Sequence, residues 1–268
     1  MNKKLLFLLF AVAFISTGFG QDAKKFRFGL KAVPSLNWYR TDNTKMVKGG
    51  KFLGFGWGFV TEFKLTESAS LSTGLQIDYD KGEVKFINDT SYFVRYNYTK
   101  DGNIAKGSVP YDSSMTAYQL GSRKYMINYI TVPIIMKMHT KEIGALTYFG
   151  QFGFFLSAKT KARALDAVNE LAPAPSSTQV TLGTKDAPLN IDKDSQLFRL
   201  QLSIGGGAEY NLAGNTSVVV GISYNRGFTN VLNPLFKSSS NYLLTKDNTA
   251  VTQKAFADNV ALSVAIMF

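Results

Sequence analysis

Apolar and polar residues alternate with a period of two through eight stretches of this chain, at 27–39, 53–65, 69–79, 128–139, 147–159, 198–211, 217–225 and 259–268. Successive side chains leave a strand on opposite sides, so each stretch is predicted as a strand with one apolar and one polar face. Phe28, Leu30, Leu36 and Trp38 share a side in the first, Leu53, Phe55, Trp57, Phe59 and Phe63 in the second, and Ile130, Val132, Ile134, Met136 and Met138 in the fourth. None of the eight apolar faces carries a charge, whereas the opposite faces hold Lys31, Glu62, Asp78, Lys137, Arg199 and Glu209. A charge facing hydrocarbon would cost roughly 2–4 kcal/mol at the midplane of a bilayer, and a tilted strand needs about 9–11 residues to cross one. The pattern therefore fits strands whose apolar sides meet lipid.

The connections alternate too. Those near 66–68, 140–145 and 212–216 are short, and those at 40–52, 80–127, 160–197 and 227–258 are long. Short turns on one rim and long loops on the other predict an all-β fold: an eight-stranded antiparallel up-and-down transmembrane β-barrel with three short periplasmic turns and four long extracellular loops. Within the loops, 84–98 and 109–125 read as strands rising above the membrane. Residues 161–171 read as one short helix, and Pro173 and Pro175 break the chain after it.

The first twenty residues read as an export signal, with a basic start at Lys3 and Lys4 and an apolar core at 5–15 too short to span a bilayer. Residues 21–268 are then the barrel. The chain has no cysteine, which excludes disulfides and a lipoprotein anchor. Removing Lys3 and Lys4 lowers the formal charge from +11 to about +9. The basic residues are scattered rather than clustered, so nucleic acid is not an expected partner. Outer-membrane lipid and anionic lipopolysaccharide are.

A soluble β-barrel or sandwich would show the same alternation, with its large residues turned into a core. The export signal, the one-sided loop lengths and Phe268 argue for the membrane form. Phe268 ends the sequence in the outward phase of a strand and is expected to serve as a signal to the outer-membrane insertion machinery. Trp38, Trp57, Tyr79, Tyr148, Tyr210 and Tyr224 lie on the outward faces and are expected to form an aromatic girdle at the headgroups.

Catalysis has little to draw on. His139 is the only histidine and is expected as a solvated rim residue beside a short turn. Asp78 and Asp80 could bind a calcium ion, although two carboxylates at a strand end are more simply solvated charges. The glycines at 54, 56, 58 and 205–207 lack the following helix that a nucleotide-binding loop requires, and read as strand glycines leaving room for large groups. No cofactor and no catalytic or metal site is expected. An eight-stranded barrel leaves space only for side chains, so Lys31, Glu62, Asp78, Lys137, Arg199 and Glu209 should pair in a lumen charge network, with Gln76, Gln151 and Gln201 completing its hydrogen bonds.

The segments 29–38, 56–59, 62–65, 128–137, 148–153, 205–210 and 225–230 together resemble the PorT-like outer-membrane barrel family. The resemblance covers nearly all of the chain after the signal except the long loops, and implies a barrel acting with secretion-complex proteins in type IX secretion of surface proteins. Two function classes stay open: a non-enzymatic partner-binding barrel, favoured by a sealed lumen, and a small passive pore for ions or solutes, favoured by a continuous water path.

Overall fold

The computed structural model describes residues 26–89, 93–99, 115–172, 175–214, 216–233, 243–247, 249 and 251–268. The expected export signal and residues 109–114 of a loop strand lie outside these. Eight long strands form the wall: β1 (Phe26–Thr41), β2 (Phe52–Lys64), β3 (Ala69–Phe86), β4 (Met115–His139), β5 (Leu146–Ala172), β6 (Phe198–Ala213), β7 (Thr216–Gly227) and β8 (Ala255–Met267). Each pairs antiparallel with the next, and β8 pairs back onto β1 through rows such as Leu30–Ile266 and Leu36–Val260, which closes the cylinder. Closure leaves the wall without an unpaired edge, as hydrocarbon requires of a spanning sheet.

The outward faces carry a broad exposed apolar band. Leu53 is 74% exposed, Phe59 59%, Ile204 62% and Ile222 59%, with Phe152, Phe154, Ile134 and Val264 beside them. Apolar exposure on this scale all round a closed wall would drive association in water and is stable against lipid. Two prolines sit within the wall at breaks in the ladder. At one of them, Thr73 Oγ1 donates to the Pro133 carbonyl at 2.7 Å while the facing Gly74 adopts φ 150°.

Three strands run further than their alternation suggested. β3 extends to Phe86, β4 begins at Met115 and β5 reaches Ala172, so the wall continues above the apolar band. Short strands at Met46–Lys48, Val94–Thr99, Gln179–Leu182, Leu189–Asn190 and Leu244–Thr245 pair onto this upper tier or onto one another. The expected strand at 84–98 is thus two pieces, ending at Phe86 and resuming at Val94. The helix expected at 161–171 is instead part of β5. Its alanines suit a helix locally, but Ala162, Ala164, Asp166 and Val168 all turn inward while Lys161 and Arg163 turn out, and pairing with β4 decides the outcome.

The switch between tiers is visible in β5. Up to Ser157 the odd-numbered residues face inward, and from Ala162 the even-numbered ones do. Asn128 pairs with Lys161 and the adjacent Tyr129 with Lys159, leaving Thr160 as the extra residue of a bulge that resets the phase. Below the bulge the inside is polar and the outside apolar. Above it the inside is apolar: Tyr39, Tyr125, Tyr129, Ile127, Ala162, Ala164, Leu189, Ile191 and Leu232 form one buried cluster.

Candidate functional site

Charged side chains fill the lumen in two groups. At the end bearing the short turns, Arg27 reaches across from β1, its Nη2 donating to Glu62 Oε1 at 3.0 Å and to Glu209 Oε2 at 3.1 Å while its Nη1 pairs with Glu209 Oε1. Lys137 Nζ donates to Glu62 Oε2 at 2.9 Å, and Ser70 Oγ donates to Glu62 Oε1 at 2.8 Å. Higher up, Arg199 pairs with Asp80 and lies 3.9 Å from Asp78. Thr131 Oγ1 donates to Asp78 Oδ2 at 2.6 Å, Gln76 donates to Asp78 Oδ1, and Asn37 Nδ2 donates to Asp80 Oδ1 at 3.2 Å.

Of the six charges singled out in the sequence, the structure joins Glu62 to Lys137 and Asp78 to Arg199. Glu209 meets Arg27 instead, which shares the polar face of the first stretch with Lys31 but is not one of the six. Lys31 makes no direct ion pair or hydrogen bond among the described residues. It lines a cavity of about 90 Å³ between the two groups, attracted by Asp78 and repelled by Lys137. Gln151 lines the same cavity, and Gln201 Nε2 donates to the Ala257 carbonyl at 2.9 Å. With Asp80 and Arg27 included, the lumen holds four cations and four carboxylates among the described residues. Charge balance of this kind is what lets ionised groups remain in an enclosed space.

His139 is not a solvated rim residue. Its side chain is 10% exposed, with Nε2 at 2.8 Å from Ser70 Oγ and 3.5 Å from Glu62 Oε1. A nucleophile relay needs the serine on one ring nitrogen and the carboxylate on the other, whereas here the same nitrogen faces both. Asp78 and Asp80 share Arg199 as counterion, and among the described residues no group of three metal-ligating side chains occurs. The strand glycines leave space for lumen groups: a Cβ at Gly56 would overlap the Asp78 carboxylate, and one at Gly54 the Asn37 amide.

Above the charged lumen the bore is closed. Arg199 lies over the Tyr129 ring, 3.9 Å from its centroid, and Tyr39 and Tyr125 pack 5.6 Å apart across the axis. Over these rings sits a second ionic cluster. Arg123 donates from Nε to Asp166 Oδ1 at 2.7 Å, from Nη2 to Asp166 Oδ2 at 2.6 Å and from Nη1 to Asp194 Oδ2 at 2.8 Å, and all three side chains are 0% exposed. Tyr96 hydroxyl donates to Asp166 at 2.9 Å, and Gln253 Nε2 donates to Asp194 at 2.8 Å. Burial pushes the Asp194 carboxyl above the ordinary carboxylate range, against the opposing pull of Arg123. These five residues come from elements up to about 160 positions apart, between Tyr96 and Gln253, and no spacing in the sequence announces them.

Outside, Trp38, Tyr79 and Tyr224 lie towards the long-loop end of the band, with Trp38 stacked on Tyr224 at 6.3 Å. Tyr148 and Tyr210 lie towards the short-turn end, close to where β5 begins and β6 finishes. Trp57 is mid-band, paired with Ala32 and Ile77, away from either rim. Phe268 continues the β8–β1 ladder by exchanging backbone hydrogen bonds with Phe28, its ring 5.8 Å from that of Phe28.

A family model described as outer membrane protein beta-barrel domain matches residues 19–233. No curated protein sequence matches the chain. Among solved structures the chain is similar to Neisserial surface protein A, at 11% identity and TM-score 0.39, covering 90% of this chain and 95% of that one. It is similar to Ail, the attachment invasion locus protein of Yersinia pestis, at 9% identity and TM-score 0.35, covering 91% and 99%. A third likeness is to the outer membrane protease OmpT of Escherichia coli, at 13% identity and TM-score 0.33, covering 91% and 96%.

Proposed function

Because this chain belongs to the outer membrane protein beta-barrel domain family, and so is an integral outer-membrane barrel, we propose that it works as a non-conducting, non-enzymatic scaffold that presents its upper tier to a protein partner. The observation that carries this reading is the plug. A pore needs a continuous wet path, and the path here ends on Tyr129, Tyr39 and Tyr125 with the fully buried Arg123–Asp166–Asp194 cluster above them. Arg27, Lys31, Lys137 and Arg199 balance Glu62, Glu209, Asp78 and Asp80 and fill the bore, and Lys31 also faces a lumen cavity of about 90 Å³.

A barrel that merely filled the membrane would not need strands of 25 and 27 residues in β4 and β5. Their upper halves build a folded surface outside the bilayer, and rigid surfaces of this kind suit specific docking. The resemblance to PorT-like barrels directs the search for the partner to proteins of the type IX secretion machinery. Planar-bilayer recording tests the sealed lumen: the purified barrel should give no steady ohmic steps, and such steps would replace the scaffold with a passive pore. Photo-crosslinking from Val180 or Thr181 in cells should trap a discrete protein, and loss of the gene should impair export of surface proteins. Unaltered export would remove the secretion role while leaving the sealed scaffold standing.

A further inference from the structure

On the wall formed by β3, β4 and β5, the lipid-facing band ends at Tyr79, Ile130 and Leu156. Above it the outward positions include Lys81 on β3, Lys124 on β4 and Lys161 and Arg163 on β5. Cross-strand pairing places Tyr79 beside Asn128 and Lys161 in one row, Lys81 beside Met126 and Arg163 in the next, and Glu83 beside Lys124 above them. Lys81, Lys124 and Lys161 have no acidic partner within salt-bridge distance among the described residues. The Glu83 carboxylate is turned away, accepting from the Gly50 amide at 2.8 Å and from Ser122 Oγ at 3.1 Å. Lys124 instead reaches over the Phe52 ring, 4.3 Å from its centroid. Arg163 shares Asp192 at 3.4 Å, an acid that is 44% exposed and also holds the Ala162 amide. On the opposite wall Arg40 is neutralised by Asp258 at 3.1 Å and Lys254 by Asp42 at 2.7 Å, and Arg226 stands there as a single exposed cation rather than in a group.

Three uncompensated ammonium groups, gathered on one side and seated directly on the edge of the apolar band, are placed where lipid headgroups begin. We propose that the Lys81–Lys124–Lys161 face, with Arg163 at its margin, docks the phosphate groups of a phosphorylated glycolipid of the outer leaflet. Acyl chains of that lipid would lie along Ile130, Val132 and Leu156 below, so one molecule would satisfy both halves of the surface. Each basic side chain beside an anionic membrane surface gains roughly 1 kcal/mol, about fivefold in affinity, so the three lysines together contribute about a hundredfold. The inference rests on the outer-membrane placement and not on the sealed lumen, so a conducting barrel would leave it untouched.

The test uses the full barrel in phosphatidylethanolamine nanodiscs, with diphosphoryl lipid A and its dephosphorylated form as probes and native mass spectrometry as readout. Wild type should retain diphosphoryl lipid A, and the K81Q/K124Q/K161Q variant should lose it by about a hundredfold. The K81R/K124R/K161R variant should keep it and K254Q should match wild type, with heat-modifiable gel mobility showing that each variant is folded. Equal retention of the dephosphorylated lipid, or a triple Gln variant within threefold or so of wild type, would overturn the proposal. Complete displacement by inorganic phosphate at matched ionic strength would also overturn it, by reducing the face to a free-anion site.

Discussion

Replacing Arg123 by methionine should open the outer mouth while leaving the transmembrane wall folded. Arg123 is the only cation in hydrogen-bond contact with Asp166 and Asp194 among the described residues, through three bonds of 2.6–2.8 Å, and none of the three side chains is exposed. Removing one partner of a buried ion pair costs about 3–5 kcal/mol, because the remaining charge stays buried without compensation. Methionine has nearly the right volume, so the loss comes from charge rather than from a cavity. A penalty of this size raises the open fraction of the upper tier by about two to three and a half decades. Hydrogen exchange reads it directly: amides of Val94–Thr99 and Gln179–Leu182 should lose protection by that factor, while those of β7 and β8 keep theirs. The loss should depend on pH with a defined sign. Burial already raises Asp194 above its ordinary value, and without the guanidinium that carboxyl should titrate higher still in the folded state than in the open one. Protection in the variant is then greatest below the unfolded carboxylate pKa of about 3.9 and is lost as pH rises through the raised folded value. The R123M/D166N/D194N variant, which removes all three charges, should recover much of the protection at neutral pH. A less than tenfold or so loss in R123M at neutral pH would refute the view that this cluster holds the plug shut.

Three further outcomes follow from the same geometry. Glu62→Gln leaves Lys137 and Arg27 short of a carboxylate and should lower stability by about 2–4 kcal/mol, discounted for the part-exposed Arg27, in urea titrations of the barrel folded into vesicles. The E62Q/K137M pair should recover part of that loss. Gly56→Leu pushes a side chain into the space of the Asp78 carboxylate and should cost about 1–3 kcal/mol in the same assay, with Gly150→Leu, which meets nothing within 4 Å, as the tolerant control. Ile134→Arg places a charge within the apolar band and should cost roughly 2–4 kcal/mol, whereas Met126→Arg, above the band on the same strand, should stay within about 1 kcal/mol; equal costs would mean the bilayer edge is elsewhere.

Most of the wall could be read from residue order because each wall strand meets two media, and the contrast between them is written at every second position. Phe55, Trp57 and Phe59 against Gly54, Gly56 and Gly58 is a signal that needs no knowledge of partners. The signal fades where the contrast does. Above the bilayer both faces of β5 are mixed, Ala162 and Ala164 inside against Lys161, Arg163 and Leu165 outside, and the local preference of alanine and leucine for helix is then uncontested in the sequence. Pairing with β4, which overrides it, is a non-local fact. The inward charges were legible as a class for the same reason as the strands, but their pairing was not. Glu209 was visible from the alternation of β6, and its partner Arg27 is fixed only by barrel closure, 182 residues away. His139 turned inward because β4 continues its odd-numbered phase to its last residue, past the point where a turn residue would be free to face water.

The two tiers solve opposite problems with one continuous sheet, and this explains where the plug had to be. Inside the bilayer the outer face must be apolar, so the polar groups of each strand are forced inward and must neutralise one another around the bore. Once the strands clear the bilayer, water outside accepts Lys124, Lys161 and Arg163, and the interior is released to become a mainly apolar core around the Arg123–Asp166–Asp194 cluster. The Thr160 bulge lies at that changeover on β5, and Tyr129, which receives Arg199 from below and packs into the apolar cluster above, lies at the same height on β4. A cavity persists beneath, between the two charged groups, where Lys31 faces it with Asp78, Asp80 and Arg199 on one side and Lys137 on the other. Closing the bore at this level requires only that the apolar core begin where lipid ends. A strand pattern extended beyond the bilayer by a dozen or so residues with its polarity reversed is therefore sufficient to convert an eight-stranded wall into a stoppered one.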